Sequence, residues 1–230
     1  SLKTYLGRTI RDITRKIAGD GFLQSQFSAE LYKANRVLTQ KPRDGGKHIY
    51  SLHAPEVECI GKGKSHKPYE FGVKASIATT LNRSKGGQCA IHAKTLPGTP
   101  YDGHTLETVL PDIEALTGAG IKRVLADAGY KGHNAPLAHK FHVFTTGQKR
   151  GVADKIKRQM KRRAAVEPVI GHIKNEHRMN RCWLAHSHGD ATNAILAAAG
   201  YNFTLILKWI KALWLIFCWA LFSSVQAKSA

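Results

Sequence analysis

Residues 122–130, Lys122-Arg123-Val124-Leu125-Ala126-Asp127-Ala128-Gly129-Tyr130, decide how this chain reads. The centre is short and apolar, and it ends on a carboxylate followed by a glycine turn. That is the pattern of a buried strand delivering Asp127 at its carboxyl end, where the loops of an α/β sheet admit ligands. Asp-x-Gly alone describes equally an Asp that only caps the following turn, and taken by itself the cap is the commoner case.

The flanks supply the rest of an α/β order. Residues 105–116 place Leu106, Val109, Leu110, Ile113 and Leu116 on one helical stripe that stops at Gly118 and Gly120. Before it, residues 69–79 alternate Phe71, Val73, Ala75 and Ile77 against Gly72, Lys74 and Ser76, which predicts one strand with one buried face. Gly86-Gly87 then turns the chain into a second strand at residues 88–94, in hairpin order. Another short strand is predicted at 141–145.

Outward from this centre the texture changes. Residues 2–18 carry Tyr5, Leu6, Ile10, Ile13 and Ile17 at helical spacing with Arg8, Arg11, Arg15 and Lys16 between them, and Gly19-Asp20-Gly21 reads as the stop. A second helix is predicted over about 28–40, followed by a breaker cluster at 41–47. The predicted organisation is a helical segment at 1–45, a core at 46–204 and an apolar carboxyl-terminal helix and tail at 205–230. Lys208 and Lys211 interrupt that last segment, and its uncharged run, 212–227, falls short of the roughly 20 residues a membrane span needs. A buried or partner-seeking helix, with no membrane, is the expectation.

Charge points to a polyanion. Lys and Arg number 35 against 16 Asp and Glu, a formal net charge of +19 in 230 residues, which favours nucleic acid as partner. The ordinary apolar content of 43% argues against a disordered basic tail, and 21 glycines argue against a collagen-like chain. Cys59, Cys89, Cys182 and Cys218 form no Cys-x-x-Cys pair, so neither a disulfide framework nor a zinc ribbon is indicated and a reducing cytoplasm fits. The twelve histidines lack zinc spacing. The opening Ser1-Leu2-Lys3-Thr4 has no apolar signal core and no methionine, which suggests a chain that begins mid-protein.

A second carboxylate stands out in residues 162–174: Arg162-Arg163-Ala164-Ala165-Val166-Glu167-Pro168-Val169-Ile170-Gly171-His172-Ile173-Lys174. On one continuous helix Arg163, Glu167 and Lys174 share a face, while Val166, Ile170 and Ile173 pack against the sheet. Pro168 disfavours helical values at Glu167, so a kink or a new helix is expected there. A surface Glu in a ladder of cations is the bland reading. Lys149, Arg150, Lys155, Lys157, Arg158, Arg162, Arg163 and Lys174 crowd the approach and are the candidate DNA contacts.

Taken together, the strand-end Asp, the acid 40 positions later and the spacing Arg-x3-Glu-x6-Lys resemble bacterial insertion-sequence transposases of the DDE type. So do His53-Ala54-Pro55-Glu56-Val57-Glu58-Cys59, Pro68-Tyr69-Glu70-Phe71-Gly72-Val73-Lys74, Pro100-Tyr101-Asp102-Gly103-His104 and Ala199-Gly200-Tyr201-Asn202. The resemblance implies a ribonuclease H-like mixed sheet flanked by helices, with amino-terminal insertion helices and a carboxyl-terminal apolar helix. It implies metal-dependent phosphodiester cleavage and strand transfer in DNA transposition, with Asp127 and Glu167 as the catalytic, metal-holding second and third acids. Arg163 and Lys174 match the basic residues of the signature around the third acid. The cofactor implied is Mg²⁺, with Mn²⁺ as a substitute, because hard oxygen ligands suit these ions. Partners implied are transposon ends, target DNA and a second copy of the chain, in a nucleoid-associated setting of a bacterial cytoplasm.

Two departures accompany the match. Met160 stands where the family has a tyrosine, and the first acid belongs on a strand expected upstream of Ser1. Glu56, Glu58 and Asp102 read as loop, turn or cap residues rather than replacements. This chain alone is therefore expected to be inactive. The alternative is a non-catalytic basic DNA-binding remnant or regulator.

Overall fold

The computed structural model describes residues 1–42, 48–63, 65–82, 86–148 and 150–228. Their contacts divide into two units, Ser1–Val73 with Ala185–Ser187, and Lys74–Leu184 with His188–Ala230.

In the first unit, α1 (Leu2–Lys16) and α2 (Gly21–Thr39) form a helical pair. Ile10 and Ile17 are buried, and Gly7 lies under Leu38. The second helix starts earlier than its apolar periodicity predicts. Asp20 is its N-cap, accepting a hydrogen bond from the Leu23 amide at 3.0 Å, so the expected stop also acts as a start. The short strands β1 (Glu58–Gly61) and β2 (Tyr69–Gly72) pair antiparallel.

The second unit carries the α/β core. β3 (Lys74–Thr79) and β4 (Ala90–Leu96) form the expected antiparallel hairpin, with Ile77 opposite Ala93. The single strand predicted over 69–79 is divided: Gly72, at φ +149°, ends β2, and β3 begins after Val73 in a different sheet. Only glycine enters that backbone region cheaply, which is why an unbroken alternation of letters hid the break. Helix α3 (Leu106–Thr117) buries Leu106, Val109, Leu110 and Ile113, and Gly118 ends it in the left-handed conformation at φ +63°. β5 (Val124–Ala126) and β6 (Val143–Thr145) pair in parallel. Among the described residues the strands make three two-stranded sheets.

The carboxyl half is helical: α4 (Asp154–Met160), α5 (Val166–Asn175) and α6 (His186–Lys228). Pro168 is the third residue of α5, inside the first turn, where its missing N–H has no intrahelical partner to lose. A 3₁₀ turn at Arg163–Ala165 precedes α5, so the basic approach and the acid helix are separate pieces. Val169 and Ile173, the latter 0% exposed, pack with Ala90, Ala197, Ala198 and Tyr201 into one core cluster. Leu106, Leu110, Ala135 and Val143 form a second.

α6 departs most from expectation. It starts at His186 rather than near residue 205, and past Leu205, which still packs against the core, it becomes exposed. Trp209, Leu213, Trp214, Ile216 and Phe217 are all more than half exposed. Of the two expectations, a buried or a partner-seeking helix, burial holds only for its first part, and over His186–Phe222 the helix is long and apolar enough to cross a membrane by length and composition.

Candidate active site

Asp127 emerges from β5 with extended backbone and turns at once into a 3₁₀ segment, Ala128–Tyr130. Its Oδ1 accepts a hydrogen bond from the Ala128 amide at 2.6 Å, so it is a turn cap. Its other oxygen, Oδ2, receives Arg163 Nη2 at 2.9 Å. Glu167, in the first turn of α5, accepts from Arg163 Nη1 at 3.3 Å. One guanidinium therefore spans the two acids, each end of its planar fork aimed at a different carboxylate. Arg163 is 21% exposed and the acids 53% and 64%, so a cationic bridge lies under two carboxylates open to solvent.

Several neighbours to which the sequence reading gave no place at the site shape this rim. Lys74, at the start of β3, pairs with Asp102 and donates to the Pro100 carbonyl at 2.7 Å. Asp102 lies against Gly129, where a Cβ would stand 2.9 Å from its Oδ2. The close approach leaves little room at position 129: any side chain there would push the Asp102 carboxylate aside. Tyr130 is held above the usual phenol range, first by burial and then by the negative charges of Asp102 and Asp127, while hydrogen bonds with Thr105 and Ser76 work the other way. Its hydroxyl remains neutral. In the sequence Lys74 and Asp102 stand in two of the family-like stretches, but Asp102 read as a turn or cap residue.

The other predicted residues are placed as follows. Lys155, Lys157 and Arg158 lie exposed on α4, with Lys157 paired to Asp154 at 3.0 Å. Arg150 is exposed on the preceding loop, Arg162 is half-buried just before the 3₁₀ turn, and Lys149 lies outside the described residues. Lys174 is half-buried on α5, and among the described residues no ion pair joins it to Glu167. Met160 ends α4 and is half-buried.

The donor set suits a hard divalent cation, since both acids offer oxygen and neither is sequestered in the core. Among the described residues no group of three or more His, Cys, Asp or Glu side chains gathers around one point. The rim supplies two acidic ligands and one competing cation.

No curated protein and no solved structure matches the chain. Residues 39–203 match the family described as Transposase DDE domain, well over half of the sequence and a span that contains Asp127, Arg163 and Glu167. The chain belongs to that family, the DDE transposases of insertion sequences.

Proposed function

We propose that this chain acts on DNA in transposition, through metal-dependent phosphodiester chemistry centred on Asp127 and Glu167. The observation that carries the reading is the convergence of these acids, 40 positions apart, on the single guanidinium of Arg163. We infer a ribonuclease H-like arrangement for the core, consistent with its α/β order and its family.

Asp127 and Glu167 would hold Mg²⁺ or Mn²⁺, and such ions activate an attacking oxygen and stabilise a leaving one in phosphoryl transfer. Arg163 bridges the two carboxylates and holds them near one another, and its cation suits a phosphate of the substrate backbone. Arg150, Lys155, Arg158 and Arg162 offer further phosphate contacts, with Lys149, Lys157 and Lys174 as additional cations of the same stretch. DNA ends and target are the proposed partners, a homo-oligomer the proposed assembly, and a nucleoid-associated cytoplasmic setting the proposed location.

Two converging acids are fewer than the family's three, so strand transfer by this chain alone is expected to be weak or absent while DNA binding persists. That combination also describes a basic regulator without catalysis. Nicking of supercoiled DNA separates them. Cleavage that requires Mg²⁺ or Mn²⁺ and disappears in both Asp127→Ala and Glu167→Ala supports catalysis. Salt-sensitive binding with no cleavage at any metal concentration leaves the regulator, and no DNA binding at low salt overturns both.

A further inference from the structure

Helix α6 has two different surroundings along its length. Its first part belongs to the second unit: Ala194, Ala197, Ala198 and Tyr201 are buried, and Asn202 bonds the Ala90 peptide on both sides. The turn between β3 and β4 also lies against it. A Cβ at Gly87 would stand 2.9 Å from Leu205 Cδ2, and one at Gly86 would stand 3.6 Å from the Trp209 ring. Beyond this contact the helix runs on to Lys228. Over 206–222 every side chain is exposed except the half-buried Cys218.

The composition of that exposed stretch selects its partner. Residues 205–227 hold no acid and two charges, Lys208 and Lys211, both at the end nearer the core. Positions 212–222 are apolar without a break over three turns, so no side of the helix is polar there. A second copy's helix would cover one stripe and leave the others in water. A helix lying flat on a lipid surface needs a polar face, which this one lacks. A medium apolar in every direction covers it, and the hydrocarbon of a bilayer is such a medium. Length agrees: positions 209–227 make about 28 Å of helix at 1.5 Å per residue, against roughly 30 Å of hydrocarbon. Lys211 does not interrupt that span, because it lies within a turn of Trp209 and its stem can carry the ammonium group back to the headgroups. Trp209 and the two lysines then share one headgroup layer, where indoles reside and where positive charge suits anionic lipid.

We propose that the distal half of α6 is a bilayer anchor: 209–227 insert across an anionic membrane, with Lys208, Trp209 and Lys211 at the headgroups on the side of the second unit. The cations at that end place the unit on the cytoplasmic side. Because α6 is one helix from core to anchor, the unit is held against the membrane face rather than swung on a linker. The anchor is independent of the transposase reading and stands whether or not the chain cleaves DNA.

The test uses the full chain, synthesised cell-free without metal or DNA in the presence of unilamellar vesicles of phosphatidylethanolamine and phosphatidylglycerol. The vesicles are then floated through a gradient in about 1 M salt, which screens exposed cations and releases a chain held only by its basic surface. Flotation of most of the chain is expected. Leu213→Lys combined with Ile216→Lys should reduce it at least about tenfold, because each lysine would stand in hydrocarbon. A measurement of depth covers the case in which that variant does not fold. Trp219 lies about 15 Å along the axis from Trp209, so lipids brominated at mid-chain should quench a component of fluorescence that Trp219→Phe lacks. Release in high salt, equal flotation of the lysine variant, or absence of that deep component would overturn the proposal. So would a salt-resistant oligomer that ignores the vesicles, which would assign the apolar helix to further copies of the chain.

Discussion

Arg163 Nη2 stands 2.9 Å from Asp127 Oδ2, and the same side chain reaches Glu167 with its other terminal nitrogen. The guanidinium thus occupies lone pairs that a divalent cation would need. Arg163→Ala is expected to raise Mn²⁺ affinity about tenfold, roughly 1.4 kcal/mol, as the mutual repulsion of the acids is relieved by metal instead. Arg163→Lys, a point charge without the fork, should fall between. Titration followed by the electron paramagnetic resonance of free Mn²⁺ checks this, and unchanged affinity in Arg163→Ala would show that the acids do not share an ion.

DNA affinity should depend on individual exposed cations rather than on net charge. Each phosphate contact contributes about 0.9 to the slope of log affinity against log salt. The double change Lys155→Ala with Arg158→Ala is therefore expected to flatten the slope by about 2. Lys157→Ala should do less, because Lys157 already pairs with Asp154. The check is a salt series of filter binding on random-sequence duplex.

What could be read from letters alone follows a physical division. The segments with a period, such as the stripe of α3 and the apolar run before Asp127, kept their predicted form because one buried face dictates it. The break at Gly72 and the start of α2 at Asp20 depend on single backbone conformations that leave the pattern of apolar letters undisturbed. Asp127 and Glu167 were visible as acids in special surroundings, but the bridging by Arg163 needed coordinates, since Pro168 undermined any argument from one continuous helix. The pairing of Lys74 with Asp102 was hidden because it spans 28 positions and no local rule links them.

Asn202 of α6 holds the first residue of β4 on both sides of its peptide. Its Oδ1 accepts from the Ala90 amide at 2.9 Å and its Nδ2 donates to the Ala90 carbonyl at 2.7 Å. Ala90 is buried, so neither group finds water if the side chain is removed. Asn202→Ala should cost about 2–4 kcal/mol, since orphaned buried groups carry their desolvation penalty. Asn202→Asp keeps the acceptor, loses the donor and should cost less than that. Urea denaturation measures both.

His92 on β4 is buried, and its Nδ1 has no hydrogen-bond partner among the described residues. Burial holds its pKa below the ordinary 6.5; Asp112 opposes the shift and Lys94 adds to it. The folded protein therefore binds a proton at His92 less readily than the unfolded chain. Above about pH 6.5 both states are neutral there and nothing is lost; as pH falls from that value toward the folded pKa, the unfolded state gains protons first and stability drops. Urea midpoints at pH 7.5 and 5.5 should show this decline, and His92→Gln should lessen it. A slope identical in both proteins would remove His92 as its source.

The exposed half of α6 makes the opposite claim about stability. Leu213 is 56% exposed and Ile216 63%, so neither contributes packing to the folded chain. Replacing both with lysine should leave the urea midpoint within about 0.5 kcal/mol of the original, the range expected of surface changes. A helix apolar on all sides nevertheless gains free energy by being covered, at about 25 cal/mol per Å² of apolar surface. The same double variant should therefore reduce self-association in sedimentation and reduce partition into detergent micelles. If the urea midpoint instead fell by several kcal/mol, these side chains would have to be part of the core in solution, and α6 would pack along its length.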